Sequence, residues 1–230
     1  MTDFLKRLAR RVRSEGLSGT LAFAHQRLVD RFWDWRLGVS TCDRYTSDKL
    51  GFRTTEYQMY VPTDYTSIRA IMKQVQIKAG KDVFMDYGCG LGRVLLMAAM
   101  YPFQRVLGLE LSPLLAEQAK HNIRRCRARM RCKQIEVIQA DATSFTPPPD
   151  VTFMYFFSPF GPSVLPKVLD RIRDSLEVHP RRIVIIYKNP PYFENEARGR
   201  SWLIREGEYR GCIKDRYAIY SASTGRIGSG

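Results

Sequence analysis

A doubly wound α/β fold, built on a mostly parallel seven-stranded sheet and preceded by a helical extension, is what this sequence predicts. Three observations carry that prediction. From Val83 onward, apolar runs of strand length alternate with stretches of helical periodicity, the pattern of a parallel sheet covered on both faces. Three glycines, Gly88, Gly90 and Gly92, stand where the first strand gives way to the next helix. Two last strand-like runs flank a turn at Gly207.

The elements follow in order. Residues 1 to 37 read as helix. Leu5, Leu8 and Val12 recur at helical spacing among Lys6, Arg7, Arg10, Arg11 and Arg13, and Gly16 and Gly19 are expected to break the run. Beyond the break, Leu17, Leu21, Ala24, Leu28, Phe32 and Trp35 form a second stripe, expected to pack on the domain as core. Residues 38–66 are loop-like and carry Tyr45, Tyr57, Tyr60 and Tyr65; Tyr57, Tyr60 and Tyr65 are candidates for a lid. A helix over 68–77 presents Ile68, Ile71, Met72 and Val75 on one face. Strands are expected at 83–85, 106–109, 135–138, 151–157 and 183–187, and helices at 94–100, 113–128 and 162–176. The helix at 113 opens on a Ser112 cap with Pro113 in its first position. After Pro190, strands at 202–205 and 217–222 complete the sheet. The division is 1–66, extension and tyrosine-rich lid, and 67–230, the α/β domain.

Composition narrows the classes. The 230 residues suit one domain with an extension and can bury a core without disulfides or a metal. The five cysteines are odd in number with no C-x-x-C pair, and none of the three histidines stands near a cysteine at ligand spacing. A disulfide framework and a zinc site are therefore not expected, and a reducing, cytoplasmic setting is. No apolar run approaches the roughly 20 residues of a membrane span. The N-terminus lacks the apolar core of a secretory signal, although its arginines and few acids are compatible with a mitochondrial transit peptide. The formal net charge of +14 points to nucleic acid, acidic protein, anionic lipid or a phosphorylated compound, or else to a solubilising surface. The basic first helix is a candidate for an anionic membrane surface or an acidic partner. The run RRCRARMRCK, from Arg124 to Lys133, is either a solvated face or a docking surface for phosphates.

The glycine cluster bears on chemistry. In a doubly wound sheet a ligand binds at the carboxyl ends of the strands where their order reverses. A dinucleotide site asks for G-x-G-x-x-G. Here the third glycine arrives one residue early and Arg93 stands where the last glycine belongs. The stretch MDYGCGLGR instead resembles motif I of the class I, S-adenosylmethionine-dependent methyltransferases, an acid followed by G-x-G-x-G. The resemblance spans about half the chain, from Val83 to Tyr187. VLGLELS places Glu110 at the end of the second strand, IQADAT places Asp141 after the third, and SPF follows the fourth at the family's motif IV.

The resemblance implies a Rossmann-like methyltransferase fold closed by an antiparallel hairpin, with S-adenosyl-L-methionine as cofactor and no metal. It implies cofactor contacts at Asp86, Gly88, Cys89, Gly90 and Gly92, with Asp86 orienting the loop and the cofactor's amino group, and the glycines clearing space for its methionine end. Glu110 would take the ribose hydroxyls and Asp141 the adenine, with Leu111 and Ala142 as further cofactor contacts. Taken alone, Asp141 also suits a turn and Glu110 a helix start. Ser158 is the catalytic candidate and Phe160 a wall for the sulfonium. NPPY at 189–192 is similar to the motif IV of adenine-N6 methyltransferases, but it follows the fifth strand and reads mainly as a turn. YVPTDYTSIRAIM loosely resembles the Dot1-like lysine methyltransferases. Three functions stay open: transfer of a methyl group to a nitrogen or oxygen of an unidentified acceptor, protein lysine N-methylation, and non-catalytic cofactor binding by a module with a basic interaction surface.

Overall fold

The computed structural model describes residues 2–46, 50, 60–211 and 215–223, with no side chain described for residues 2–11, 15 and 191. Its elements are α1 (Thr2–Leu37), α2 (Tyr65–Met72), β1 (Val83–Tyr87), α3 (Arg93–Ala98), β2 (Arg105–Glu110), α4 (Pro113–Cys126), β3 (Ile135–Gln139), β4 (Val151–Phe157), α5 (Leu165–Val178), β5 (Ile183–Lys188), α6 (Pro191–Arg198), β6 (Leu203–Arg210) and β7 (Arg216–Ala222). The strands form one sheet in the order β3-β2-β1-β4-β5-β7-β6. β1 to β5 pair in parallel, and β7 runs antiparallel to both its neighbours. The strands' alternation puts Phe84, Val106, Phe153 and Ile186 into the core beneath α2, α3 and α4, and Met85, Leu107, Met154 and Ile185 into the core beneath α5 and α6. A stack of rings, Tyr87, Phe156, Tyr187 and Phe193, ties β1, β4 and β5 to α6 at centroid separations of 4.7, 5.4 and 4.4 Å.

Several boundaries depart from the sequence reading. α2 begins on an Asp64 cap, whose carboxylate accepts from the Ser67 N–H at 2.7 Å, and closes at Met72 rather than 77. It therefore straddles the expected 66/67 division. Residues 191–198 form a helix, α6, beyond the expected turn. Gly207 lies inside β6, where a register shift between Arg205 and Gly207 marks a bulge. The chain reverses later, where the Gly211 N–H donates to the Asp215 carbonyl at 2.7 Å.

The largest correction concerns α1. The helix breaks at Gly16 (φ 73°, ψ 174°) but continues through Gly19. Its apolar stripe, expected in the core, faces outward: Leu17, Leu21, Leu28, Phe32 and Trp35 are 70, 68, 67, 52 and 77% exposed. The inward face carries Gln26, Asp30, Asp34 and Leu37 instead. Arg93, at the head of α3, explains this. Its guanidinium is 1% exposed and lies 3.2 Å from the Asp30 carboxylate and 3.9 Å from that of Asp34. It also donates to Thr41 Oγ1 and the Thr63 carbonyl and lies over the Tyr65 ring. Asp34 accepts from the Thr41 N–H at 2.6 Å and the Tyr65 hydroxyl at 2.7 Å. Turning the leucines inward would strand a buried cation, and removing one partner of a buried pair costs about 3–5 kcal/mol. Exposing five apolar side chains is the alternative the chain adopts.

Candidate active site

The strand order reverses between β1 and β4, and a cleft of about 850 Å³, its mouth included, opens at their carboxyl ends. The glycine loop is its floor. Gly88 and Cys89 donate their N–H groups to the Leu109 carbonyl at 2.8 and 3.0 Å, which fastens the loop to β2. Gly90, at φ 55°, donates its N–H to Glu110 Oε2 at 2.8 Å, and the Ser112 N–H donates to Oε1 at 2.9 Å. The Glu110 carboxylate is thereby held rigid at the rim, each oxygen keeping a lone pair for a ligand. Tyr60 to Thr63 form the opposite wall.

The glycines serve the protein's own walls. A Cβ at Gly90 would stand 2.0 Å from the Tyr60 ring, and one at Gly88 would stand 3.0 Å from Pro159. The space expected for a ligand's methionine end is therefore filled, at Gly90, by Tyr60. That tyrosine belongs to the expected lid, and its hydroxyl donates to the Thr41 carbonyl at 3.3 Å. Tyr65 is instead a buried part of α2, and Tyr57 lies outside the described residues.

Asp86, at the end of β1, is 3% exposed, faces the cleft, and has no hydrogen-bond or ion-pair partner among the described residues. Burial, and then the Glu110 charge, hold its carboxyl well above the usual carboxylate range. Burial also raises Glu110, against the N–H groups of Ser112 and Gly90. A buried carboxylate pair short of cations favours a positively charged ligand. The same surroundings, burial first and then Glu110 and Asp86, keep the Cys89 thiol protonated and a poor nucleophile.

Asp86, Gly88, Cys89, Glu110, Leu111 and Ala142 all line this one cleft, as does Phe160. Gly92 does not; at φ 85° it caps the start of α3. Asp141 stands between two lining residues, Ala140 and Ala142, with Oδ1 accepting from the Thr143 N–H and hydroxyl at 2.8 and 2.9 Å, so it makes the turn. Ser158 is also outside the lining. Its hydroxyl donates to the carbonyls of Lys188 and Asn189 at 3.0 and 2.5 Å. Ser158 (φ 37°) and Asn189 (φ 54°) are the non-glycine residues with positive φ among those described, and each precedes a proline. The hydroxyl thus joins two strained corners at the ends of β4 and β5. Asn189 follows the fifth strand, as its place in the sequence implied, and Tyr192 is exposed.

The sequence reading gave no role to Tyr155, Thr63 or Arg93. Tyr155 pairs with Asp86 across β1 and β4, and its hydroxyl lies 3.0 Å from Thr63 Oγ1 on the cleft wall. Neither residue carries a signal legible before the strands are in register. Arg93 does: Asp30 and Asp34 are the sole acids between Gly16 and Leu37, and they stand four residues apart on one helix face.

Residues 84–178 match the family model of the methyltransferase domain. No curated protein matches the sequence. Among solved structures, an RNA methyltransferase from Salinibacter ruber in complex with S-adenosyl-L-homocysteine is 18% identical with a TM-score of 0.52, over 74% of this chain and 98% of that one. A SAM-dependent methyltransferase from Aquifex aeolicus is 13% identical with a TM-score of 0.52, over 69% and 90%. The ribosomal protein L11 methylase from Lactobacillus delbrueckii subsp. bulgaricus is 12% identical, also at 0.52, over 69% and 79%. At these identities the likeness is one of fold.

Proposed function

We propose that this chain is a class I, S-adenosylmethionine-dependent methyltransferase and that its cleft holds the cofactor with Asp86 on its ammonium group and Glu110 on its ribose hydroxyls; the match of residues 84–178 to the methyltransferase domain supports the reading. One observation carries this reading: Asp86 is a buried carboxylate, unpartnered among the described residues, at the mouth of the glycine loop. Ala140 and Ala142, on either side of Asp141, line the cleft and offer an apolar face for the adenine.

Asp86, Glu110 and the glycine loop would hold the cofactor, which when bound would supply an electrophilic methyl carbon to a nitrogen or oxygen lone pair of the acceptor. The chain's own residues position and shield. Phe160 lines the cleft as a ring for a cation, whereas Phe157 already carries the Lys188 ammonium 4.1 Å from its ring centroid. Burial raises the Tyr155 phenol and keeps it a neutral donor. Ser158 acts as a positioning residue that sets the wall formed by Pro159 and Phe160. Alignment supplies much of the barrier reduction in such a displacement.

The acceptor is a nitrogen or oxygen compound, with protein lysine as one class to test. Cys42, Cys89, Cys126 and Cys132 are free, which suits the reducing cytoplasm in which we place the enzyme. Among the described residues, no helix is long and apolar enough to cross a membrane. The excess positive charge we assign to an anionic partner.

Calorimetry with S-adenosylhomocysteine tests the site: binding is expected, and NADH should not bind. Asp86→Asn should weaken the affinity by about 1.5–3 kcal/mol while leaving the fold intact. Unchanged affinity in a folded Asp86→Asn protein would overturn the assignment. Radiolabelled methyl transfer into separated protein, nucleic acid and small-molecule fractions then identifies the acceptor class.

A further inference from the structure

The outward stripe of α1 lies along about 27 Å of helix from Leu17 to Trp35, at ~1.5 Å per residue. Phe32 and Trp35 sit at one end with ring centroids 5.9 Å apart. Both acids of the segment, Asp30 and Asp34, face inward to Arg93. The arginines stay on the outer side: Arg31 and Arg36 are exposed, Arg27 is half-buried, and none has an ion-pair partner among the described residues. On a helical wheel, Arg27 and Arg31 flank the stripe on one side and Arg36 on the other.

The second basic feature of the sequence converges on the same place. Arg129 donates to the Arg36 carbonyl at 2.5 Å, and Asn122 exchanges hydrogen bonds with the Ser40 backbone at 3.2 and 3.1 Å. The run from Arg124 to Lys133 therefore adjoins the carboxyl end of α1. The outward surface joins a long apolar ridge to a cluster of arginines, with the exposed Asp43 beside Ser40 at their junction.

We propose that α1 is an interfacial helix that docks the enzyme on an anionic lipid bilayer. Its leucines and aromatics enter the acyl boundary, while Arg27, Arg31, Arg36 and the 124–133 run meet lipid phosphates. This deepens the assignment of an anionic partner and rests on it. A nucleic acid would satisfy the arginines and leave the leucines in water. A second copy would bring like charges together along the stripe, two bodies of +14 each. A bilayer satisfies both chemistries over the whole ridge.

Flotation of the full chain with vesicles tests the proposal. The protein should float with equimolar phosphatidylcholine and phosphatidylglycerol but not with phosphatidylcholine alone, and about 0.5 M NaCl should weaken the binding. The triple variant Leu28→Gln, Phe32→Gln, Trp35→Gln should stay at the bottom of the gradient. It should keep its thermal shift with S-adenosylhomocysteine, because those side chains are exposed on the outward face of α1, whereas Asp30 and Asp34 hold Arg93 from the inward face. Arg27→Ala with Arg31→Ala should weaken flotation about tenfold or more. If anionic vesicles fail and heparin–agarose retains the chain, the anionic partner stands and the lipid is wrong. If neither binds, both are wrong. A triple variant that floats like the parent excludes the stripe as the docking face. A parent dimer that the triple variant converts to monomer by light scattering assigns the ridge to a second copy and overturns the proposal.

Discussion

Asp86 and Glu110 have carboxyls raised above ordinary values of 3.8 and 4.5, in both cases chiefly by burial. The sign of the consequence follows from linkage. As pH rises, the unfolded chain releases these protons first, so their contribution favours the unliganded fold below about pH 4 and is lost as pH climbs through the raised values. Asp86→Asn removes that loss for one group. Its melting temperature should rise relative to the parent's as pH increases from about 4, then run parallel once Asp86 is fully ionised. Its affinity for S-adenosylhomocysteine should fall by about 1.5–3 kcal/mol, the scale of a hydrogen bond to a charged group. A scan of melting temperature against pH, with and without ligand, measures both. Gly90 is the other decisive residue. Gly90→Ala must hold φ 55° against the Tyr60 ring and should lose about 1–3 kcal/mol of stability. Adding Tyr60→Ala relieves the collision but not the backbone strain, so a double-mutant cycle in urea should show the pair less destabilised than the sum.

At the scale of elements, the ends of β4 and β5 act together. Ser158 and Asn189 occupy backbone conformations that proline at the next position disfavours, and the Ser158 hydroxyl ties one corner to the other. Ser158→Ala should remove about 0.5–1.5 kcal/mol of stability, the usual net value of such hydrogen bonds. Because Ser158 does not line the cleft, the affinity for S-adenosylhomocysteine should stay nearly constant while kcat falls as Pro159 and Phe160 drift. Equal losses in kcat and in ligand affinity would contradict a positioning role. The α1–α3 joint is the second such pairing. The Arg93 network makes the extension part of the cleft's foundation, because the same arginine grips the Thr63 carbonyl of the cleft wall.

Over the whole molecule, that joint predicts unequal effects of truncation. Removing residues 1–16 leaves Asp30, Asp34 and Arg93 paired and should change the melting temperature little. Removing residues 1–37 strands the buried guanidinium and should destabilise the fold by several kcal/mol, read as a lower urea midpoint and weaker S-adenosylhomocysteine binding. The sequence by itself determined the alternating strands and helices of the α/β domain, the glycine turn after its first strand, and the carboxylates Asp86 and Glu110 at strand ends. Those features depend on local periodicity and on residues adjacent in the chain: an apolar strand, a glycine turn, an acid at a strand end. Only the tertiary structure decided which face of α1 turns inward, that Tyr60 fills the space over Gly90, and that Ser158 braces a corner instead of lining the cleft. Each depends on a partner tens of residues away, as Asp30 and Asp34 depend on Arg93. A hydrophobic stripe predicts burial unless a buried cation on another element claims the opposite face of the helix, as Arg93 claims the face that carries Asp30 and Asp34.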